Sequence, residues 1–356
     1  MSQKALVLNA VGTPVVLQDR PIPEVGEHQV LVKVTSASLN PHDQKARDWG
    51  LFSTGDPAIL ANDIAGEVVK LGTGEAVSAF KIGDHIFAPS SLTPGVGVGF
   101  GFSSDVGGLQ QYSIVDVRHA AKVADTGLTD DEAATIPINI ITSFIALFQS
   151  SNLGFPPPFS PEAQSFDYAS KTLLVVGGAS NCGRFAIQLA RMAGIGRIIT
   201  VAGKRNEEEL KVLGATHVVD RHADDVVGLI RELVGDDLVY AFDAINNGPN
   251  QYVGVAALSN SKKGKLMVLI PSEEELDPKK TGSKEFGYER KFTYGASTVH
   301  PEITLEFWKL LPSWIRKGSL KPPRFDVIEG LDADKVNEVL DRYRDGKPTA
   351  KVNIHP

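Results

Sequence analysis

A run of small residues in the middle of the chain has the composition of a phosphate-binding turn. It follows the apolar stretch 172–176, precedes an amphipathic stretch, and consists of Gly177, Gly178, Ala179, Ser180, Asn181, Cys182 and Gly183. In a strand–turn–helix of this kind the turn lets the backbone approach a pyrophosphate, and the helix N-terminus offers N–H groups and a positive dipole end. The side chains of Ser180 and Asn181 could also bond phosphate, whereas Cys182 is expected to pack.

The glycine spacing of this turn departs from the usual dinucleotide motif at one place. The full pattern is G-x-G-x-x-G, and here Ser180 replaces the middle glycine. Taken alone, the match is weak, because a structural strand–helix turn would fit it about as well.

The end of the next predicted strand, 197–201, carries the residues that could select the cofactor. It is followed by Gly203, Lys204 and Arg205, whereas a site for NAD places an Asp or Glu there to bind the ribose 2′-hydroxyl. Two cations suit a 2′-phosphate, because Arg presents a planar fork and Lys a point charge. The alternative is a pair of solvated loop cations. The sequence favours NADPH.

Bulk properties exclude several classes of protein. At 356 residues the chain is long enough for two domains, and its net charge of −7 argues against a nucleic-acid-binding surface. Cys182 is the only cysteine, so an intrachain disulfide and a thiolate zinc cluster are both excluded. The chain does not begin with the apolar core of a signal peptide, and its longest apolar run, 136–148, is too short to span a bilayer. A cytoplasmic enzyme is expected.

The elements that must position the turn fall into two blocks. The first block holds short predicted strands separated by turns, such as 29–36 with alternating Val30, Val32 and Val34, and predicts a β-rich, partly open barrel. Around the turn, strands alternate with helices, which predicts an α/β arrangement with a doubly wound parallel sheet. After residue 295 this alternation ends, and two helices and a last strand, 350–354, follow.

Several short motifs are spread along almost the whole chain. They are Asn40-Pro-x-Asp43, Asp63-x-Ala-Gly-Glu67, Gly83-Asp84, Gly107-Gly108, the turn at 177–183 and Leu213-Gly-Ala215. The set resembles the medium-chain dehydrogenase/reductase superfamily, and within it the zinc-independent quinone oxidoreductase and enoyl reductase branch. The proline-rich stretch near Pro156 is similar to that of fungal trans-acting enoyl reductases. The resemblance implies a GroES-like catalytic domain, residues 1–135 and 296–356, interrupted by a Rossmann NADPH-binding domain, residues 136–295.

The resemblance also bears on metal content and chemistry. Zinc-dependent members hold catalytic zinc with an early cysteine and a histidine before a glutamate, but the corresponding stretches here read Asn40-Pro-His-Asp43 and 62–67. No metal is therefore expected. Without a Lewis acid, hydride transfer to an already polarised acceptor is the favoured chemistry. Candidate acceptors are an enone, an enoyl thioester or a quinone.

The resemblance suggests two catalytic residues. Lys45 stands where related enoyl reductases carry a lysine, although a surface lysine on a helix is the alternative. His42 could also donate a proton, although a histidine at a helix start is at least as common in a structural role.

Five further positions are predicted to contact the cofactor. Asn139 and Thr142 stand where relatives contact the nicotinamide, with helix packing as the alternative. Asn246 and Ile270 follow predicted strands, and ligands bind outside the carboxyl ends of such strands. Arg221 stands where quinone reductases have a tyrosine near the adenosine phosphate, and a cation there would favour NADPH.

Three functions stay open at this point. The first is a stand-alone NADPH-dependent reductase of a small electrophilic acceptor. The second is a trans-acting enoyl reductase that partners a polyketide synthase and acts on a chain bound to an acyl carrier. The third is a non-catalytic NADPH-binding protein. No nucleic-acid or membrane partner is expected, and a monomer and a homodimer are both compatible with the sequence.

Overall fold

The computed structural model describes residues 1–52, 57–91, 93–94, 100–101 and 103–356. These residues form two compact units, the first of Met1–Ile138 with Ala296–Pro356 and the second of Asn139–Gly295. The division after residue 138 lies inside a helix, three residues beyond the boundary that the sequence predicts.

In chain order, the strands and helices of the described residues are β1 (Ser2–Val7), β2 (Val16–Pro21), β3 (Gln29–Leu39), α1 (Pro41–Trp49), β4 (Asp63–Leu71), β5 (His85–Pro89), β6 (Thr93–Pro94), β7 (Phe100–Gly101), β8 (Tyr112–Asp116), β9 (Ala121–Lys122), α2 (Asp130–Ala134), α3 (Pro137–Phe148), β10 (Thr172–Val176), α4 (Asn181–Ala193), β11 (Arg197–Ala202), α5 (Glu207–Leu213), β12 (His217–Asp220), α6 (Val226–Val234), β13 (Tyr240–Asp243), α7 (Tyr252–Ala257), β14 (Gly264–Val268), α8 (Pro278–Thr281), β15 (Tyr288–Phe292), α9 (Pro301–Arg316), β16 (Phe325–Glu329), α10 (Ala333–Arg344) and β17 (Lys351–His355).

The first unit is built around β3, the longest of its described strands. One edge of β3 pairs with β4, and the other edge pairs with β8 along Gln29–Lys33 and with β17 along Ala37–Leu39, each time antiparallel. Two register irregularities between β3 and β4 allow the strand to bend. The sheet order is β16-β17-β3-β4-β5-β9, with β8 beside β3. This is the GroES-like, partly open barrel that the sequence predicts, and its C-terminal strands complete it.

The second unit is a six-stranded parallel sheet in the order β12-β11-β10-β13-β14-β15. Its central strand, β10, reads Thr-Leu-Leu-Val-Val and is buried from its second residue onward, as expected for a strand covered on both faces. The facing side of α4 buries Phe185, Ile187 and Leu189. The predicted doubly wound Rossmann arrangement is confirmed.

Strands β2, β15 and β16 are among those that the sequence does not predict, and none of these three contains a fully buried residue. Without a buried face they lack the alternation of apolar and polar residues by which a strand is identified in a sequence. Their pairing partners, β1, β14 and β17, supply the hydrogen bonds that define them.

Candidate functional site

The turn at 177–183 lies in the second unit where the strand order of the sheet reverses. It leaves β10, which has β11 on one side and β13 on the other. Ligands of open α/β sheets bind outside the carboxyl ends of the strands at such a point. The N–H groups of Gly177 and Gly178 donate to the carbonyl oxygen of Val201 at 3.0 and 3.2 Å, which fixes the turn against β11.

Glycine is required at two positions of the turn for different reasons. Gly177 has a φ of 84°, a left-handed conformation that other residues rarely adopt. A Cβ atom on Gly183 would lie 2.3 Å from the carbonyl oxygen of Gly177 and 2.7 Å from the Cα of Gly178. The first turn of α4 therefore packs directly on the backbone that precedes it, which places the helix N-terminus at the carboxyl edge of the sheet.

Ser180, the residue that replaces the middle glycine, caps α4. Its Oγ accepts the N–H of Gly183 at 3.1 Å and donates to the carbonyl oxygen of Gly177 at 2.8 Å. The hydroxyl hydrogen is thus used inside the turn, and the substitution strengthens the helix start.

A residue that the sequence analysis did not identify also holds the turn. Arg184 donates from Nε to the carbonyl oxygen of Ala179 at 3.1 Å. Its guanidinium also forms a two-pronged ion pair with Glu209 of α5. A charged fork of this kind fixes the arginine in one orientation, so α5 supports the turn at 177–183 through this side chain.

The predicted 2′-phosphate residues lie around the carboxyl ends of β11 and β12. Gly203 is followed by a single turn of 3₁₀ helix that contains the exposed Lys204 and Arg205. Arg221 directly follows β12, and its N–H donates to Ala202 O at 3.0 Å. A Cβ atom on Gly203 would lie 3.9 Å from Nε of Arg221. The structure therefore brings Arg221, which is 18 residues away in sequence, beside Gly203.

Asn139, Thr142 and Cys182 lie together at the start of the second unit. The Sγ of Cys182 donates to Oδ1 of Asn139 at 3.4 Å, and the hydroxyl of Ser143 donates to the carbonyl oxygen of Cys182 at 2.8 Å. Thr142 is 7% exposed and packs so closely on Gly295 that a Cβ atom there would lie 1.8 Å from its Oγ1. These contacts connect α3 to the turn at 177–183.

Asn246 and Ile270 are held by a residue that the sequence did not single out. Gln251, which is fully buried, donates from Nε2 to the carbonyl oxygens of Asn246 at 3.1 Å and Ile270 at 2.8 Å. The amide of Asn246 itself donates to Asp243 at 2.9 Å. Burial raises the pKa of Asp243, and the hydrogen bonds from Asn246 oppose that rise. The two loops after β13 and β14 are therefore fixed relative to each other.

In the first unit, His42 and Lys45 both lie on α1 and are partly buried. The helix start is held by Asp43, whose Oδ2 accepts the N–H of Asn40 at 2.7 Å and whose Oδ1 accepts the N–H of Ala61 at 2.9 Å. The Nε2 atom of His42 lies 3.7 Å from Oδ1 of Asp43. Burial raises the pKa of Asp43, and positive charge on His42 is the strongest opposing influence.

A buried ion pair lies next to this helix start. The ammonium of Lys351 bonds Asn40 Oδ1 and Asp63 Oδ2 at 2.7 Å each, and the side chains of Lys351 and Asp63 are 1% and 0% exposed. Asp63 also accepts the side chain of Asn40 at 2.8 Å and the N–H of Ile138 at 2.6 Å. Lys351, on the last strand, was not identified by the sequence analysis, because nothing local in the sequence marks it.

The described residues include no candidate metal site and no candidate membrane-spanning helix. No group of three or more His, Cys, Asp and Glu side chains is arranged to hold a metal ion there. None of the helices in that part of the chain combines the length and apolar character needed to cross a membrane.

Comparison with protein families gave two matches that follow one another along the chain. The alcohol dehydrogenase GroES-like domain matches residues 26–125. The family described as zinc-binding dehydrogenase matches residues 182–302.

Individual relatives extend these matches over most of the chain. A trans-enoyl reductase of Alternaria alternata is 29% identical, with 98% of this chain and 96% of the relative covered. A trans-enoyl reductase of Penicillium oxalicum is 31% identical, with 76% of this chain and 71% of the relative covered. A mycobacterial protein solved in complex with NADPH superposes with a TM-score of 0.72 at 19% identity, covering 99% of this chain and 100% of that chain.

Proposed function

Because the chain belongs to the medium-chain dehydrogenase/reductase superfamily, which makes it an oxidoreductase, we propose that it is an NADPH-dependent reductase of electron-poor acceptors. The acceptor is an activated C=C bond, in an enone or enoyl thioester, or a quinone. When bound, NADPH supplies the hydride. The proteins named above support this proposal, since two are trans-enoyl reductases and one was solved with NADPH.

The observation that carries the cofactor assignment is the position of Arg221 beside Gly203. A glycine leaves space at the end of β11, and the guanidinium of Arg221 together with the exposed Lys204 and Arg205 gives that space a positive charge. A 2′-phosphate fits such a corner, and a free ribose hydroxyl gains little from it. Gly177–Gly183 would bind the pyrophosphate through backbone N–H groups at the start of α4.

The proton donor of the proposed reaction is assigned to α1. Hydride addition at the β-carbon of an enone or enoyl thioester places negative charge on the carbonyl oxygen, and a proton must then reach the acceptor. His42 and Lys45 are the two candidates. Asp43 is fixed by two backbone N–H groups, and its Oδ1 lies 3.7 Å from Nε2 of His42, so the carboxyl group helps to position the imidazole.

We also propose that the reaction needs no zinc. The two stretches that hold the metal in zinc-dependent relatives contain Asn40 and Asp63 here, and the ammonium of Lys351 lies against both. A divalent cation at that place would be repelled by the ammonium. Activity should therefore persist after incubation with a chelator and removal of bound metal. Zinc that is retained stoichiometrically and required for turnover would contradict this part of the proposal.

The cofactor assignment is tested by titrating NADPH and NADH against the wild type and Arg221→Ala. Hydrogen bonds to charged groups contribute about 1.5–3 kcal/mol, so the variant should bind NADPH about 10-fold more weakly or worse. Its affinity for NADH should be unchanged. Arg197→Ala is the matched control, because Arg197 lies at the opposite end of the sheet, at the start of β11. Equal wild-type affinities for the two cofactors would refute the assignment.

The relatives favour a second candidate, a trans-acting enoyl reductase that reduces a chain bound to an acyl carrier. Two trans-enoyl reductases match across 98% and 76% of this chain. An enoyl chain should be offered both as a free thioester and on a carrier domain, with NADPH oxidation followed at 340 nm. A much higher kcat/KM for the carrier-bound chain would support the second candidate. Failure to oxidise NADPH with any enone, enoyl thioester or quinone would exclude both.

A further inference from the structure

Asn62 has a hydrogen-bond donor that the described part of the protein does not use. The residue lies between Ala61 and the first residue of β4, and it is 2% exposed. Among the described residues, its side-chain nitrogen Nδ2 has no hydrogen-bond partner. Buried polar groups are almost always paired, because an unpaired one loses its hydration without compensation. A donor in this condition therefore calls for an explanation.

The backbone on both sides of Asn62 is held firmly. The N–H of Ala61 donates to Asp43 at 2.9 Å, and its carbonyl oxygen accepts the N–H of Gly108 at 2.7 Å. The carbonyl oxygen of Asn62 accepts the N–H of Ser90 at 2.7 Å. On the other side, Asp63 is fixed by the ammonium of Lys351 at 2.7 Å. The backbone that carries Asn62 is therefore fixed in place.

The local backbone is also strained at this place. Ala61 has a φ of 64°, a left-handed conformation that costs free energy in a residue other than glycine. The bond from its N–H to the fully buried Asp43 maintains this conformation. An unpaired donor next to strained, over-determined backbone is the arrangement expected of a group kept in place for a ligand.

We propose that the side-chain amide of Asn62 donates a hydrogen bond to the carbonyl oxygen of the acceptor. This inference rests on the proposed function. The acceptor receives a hydride, with its electron pair, at the β-carbon, and the π electrons shift to give an enolate whose charge lies largely on oxygen. A proton then forms the new C–H bond at the α-carbon, and NADP⁺ is left. The amide stabilises the oxygen more strongly as its charge grows, so it accelerates hydride transfer.

The test uses Asn62→Leu, which keeps the branching of the side chain and removes the donor. Reduction of 2-cyclohexen-1-one and of the N-acetylcysteamine thioester of crotonic acid is measured with saturating NADPH. Loss of one such donor is expected to lower kcat by about 10²–10³-fold. The Kd for NADPH should be unchanged. Tm should be equal to or above that of the wild type, because the variant no longer buries an unpaired polar group.

Asn337→Leu is the matched control in the same unit. The amide nitrogen of Asn337 donates to Val15 O at 3.0 Å and to Ala333 O at 2.9 Å, so its loss should lower Tm and leave kcat unchanged. An unchanged kcat in Asn62→Leu would overturn the inference. So would a fall in Tm as large as that of Asn337→Leu, because it would show that the amide of Asn62 is structural. If the wild type reduced a quinone but neither probe, this inference would fail and the proposed function would stand; if it reduced no quinone either, both would fail.

Discussion

His119 should make the first unit less stable in mild acid, and the effect can be calculated. The residue is 4% exposed, and neither ring nitrogen has a hydrogen-bond partner among the described residues. Burial, the largest influence, lowers the pKa of His119 from 6.5 to about 4. The folded protein therefore keeps the imidazole neutral at a pH where the unfolded chain has already taken up a proton.

The sign and size of the effect follow from proton linkage. Between pH 6.5 and pH 4 the unfolded state binds more protons at this site, so stability falls as the pH falls. The pKa difference of about 2.5 corresponds to about 3.4 kcal/mol in total, since one pKa unit is about 1.36 kcal/mol. Between pH 7.5 and pH 5.0 the expected loss is about 2 kcal/mol.

Urea unfolding followed by tryptophan fluorescence measures the unfolding free energy of the first unit, which contains His119. The three tryptophans, Trp49, Trp308 and Trp314, all belong to the first unit, as does His119. Unfolding free energies are compared at pH 7.5 and pH 5.0 for the wild type and His119→Leu. The variant should lose about 2 kcal/mol less than the wild type over this interval, because other titrating groups contribute equally to both.

His355→Gln provides a control of opposite sign. Burial disfavours protonation of His355, but its bond to Asp131 prevails and raises its pKa. Its contribution is fully present below pH 6.5 and is lost as the pH rises through the folded pKa. His355→Gln should therefore be less stable than the wild type at low pH, and the difference should shrink as the pH rises. A difference between wild type and His119→Leu that did not change with pH would refute the argument that burial keeps His119 neutral.

Two further predictions concern groups that hold the sites in place. Lys351→Met leaves the carboxylate of Asp63 buried without its cation and should lower the unfolding free energy by about 3–5 kcal/mol, measured by the same fluorescence assay. A loss below about 1 kcal/mol would show that the remaining hydrogen bonds to Asp63 suffice. Gly183→Ala places a Cβ atom 2.3 Å from the carbonyl oxygen of Gly177, so the turn must shift; overpacking of this kind costs about 1–3 kcal/mol. Titration should show weaker NADPH binding, and wild-type affinity would contradict the close packing described for α4.

Much of the turn at 177–183 could be predicted because its determinants are local. A strand, a turn and a helix start within about a dozen residues, and the apolar run 172–176 followed by small residues is enough to identify them. Gly183 and Gly177 are separated by six positions and touch in the fold. In the sequence Ser180 weakens the match to the glycine motif, whereas in the structure it caps α4.

Contacts between distant segments could not be predicted in the same way. Lys351 meets Asp63 across 288 residues, and Gln251 joins the loops after β13 and β14 through its amide. No spacing rule connects such residues, since their meeting depends on the order in which strands pair. The weakly buried strands β2, β15 and β16 were missed for a related reason, because their partners rather than their own side chains define them.

Local patterns in the sequence are enough to predict the two-part fold and the strand–turn–helix at 172–183, because apolar periodicity and short glycine spacings act over a few residues. The pairing of polar groups, in contrast, follows from the packing of distant segments. In the folded chain Arg221 lies beside Gly203 and Lys351 is buried against Asp63. The amide nitrogen of Asn62 has no partner among the described residues. Pairing and burial are properties of the packed chain, since they depend on what every other segment places around a side chain.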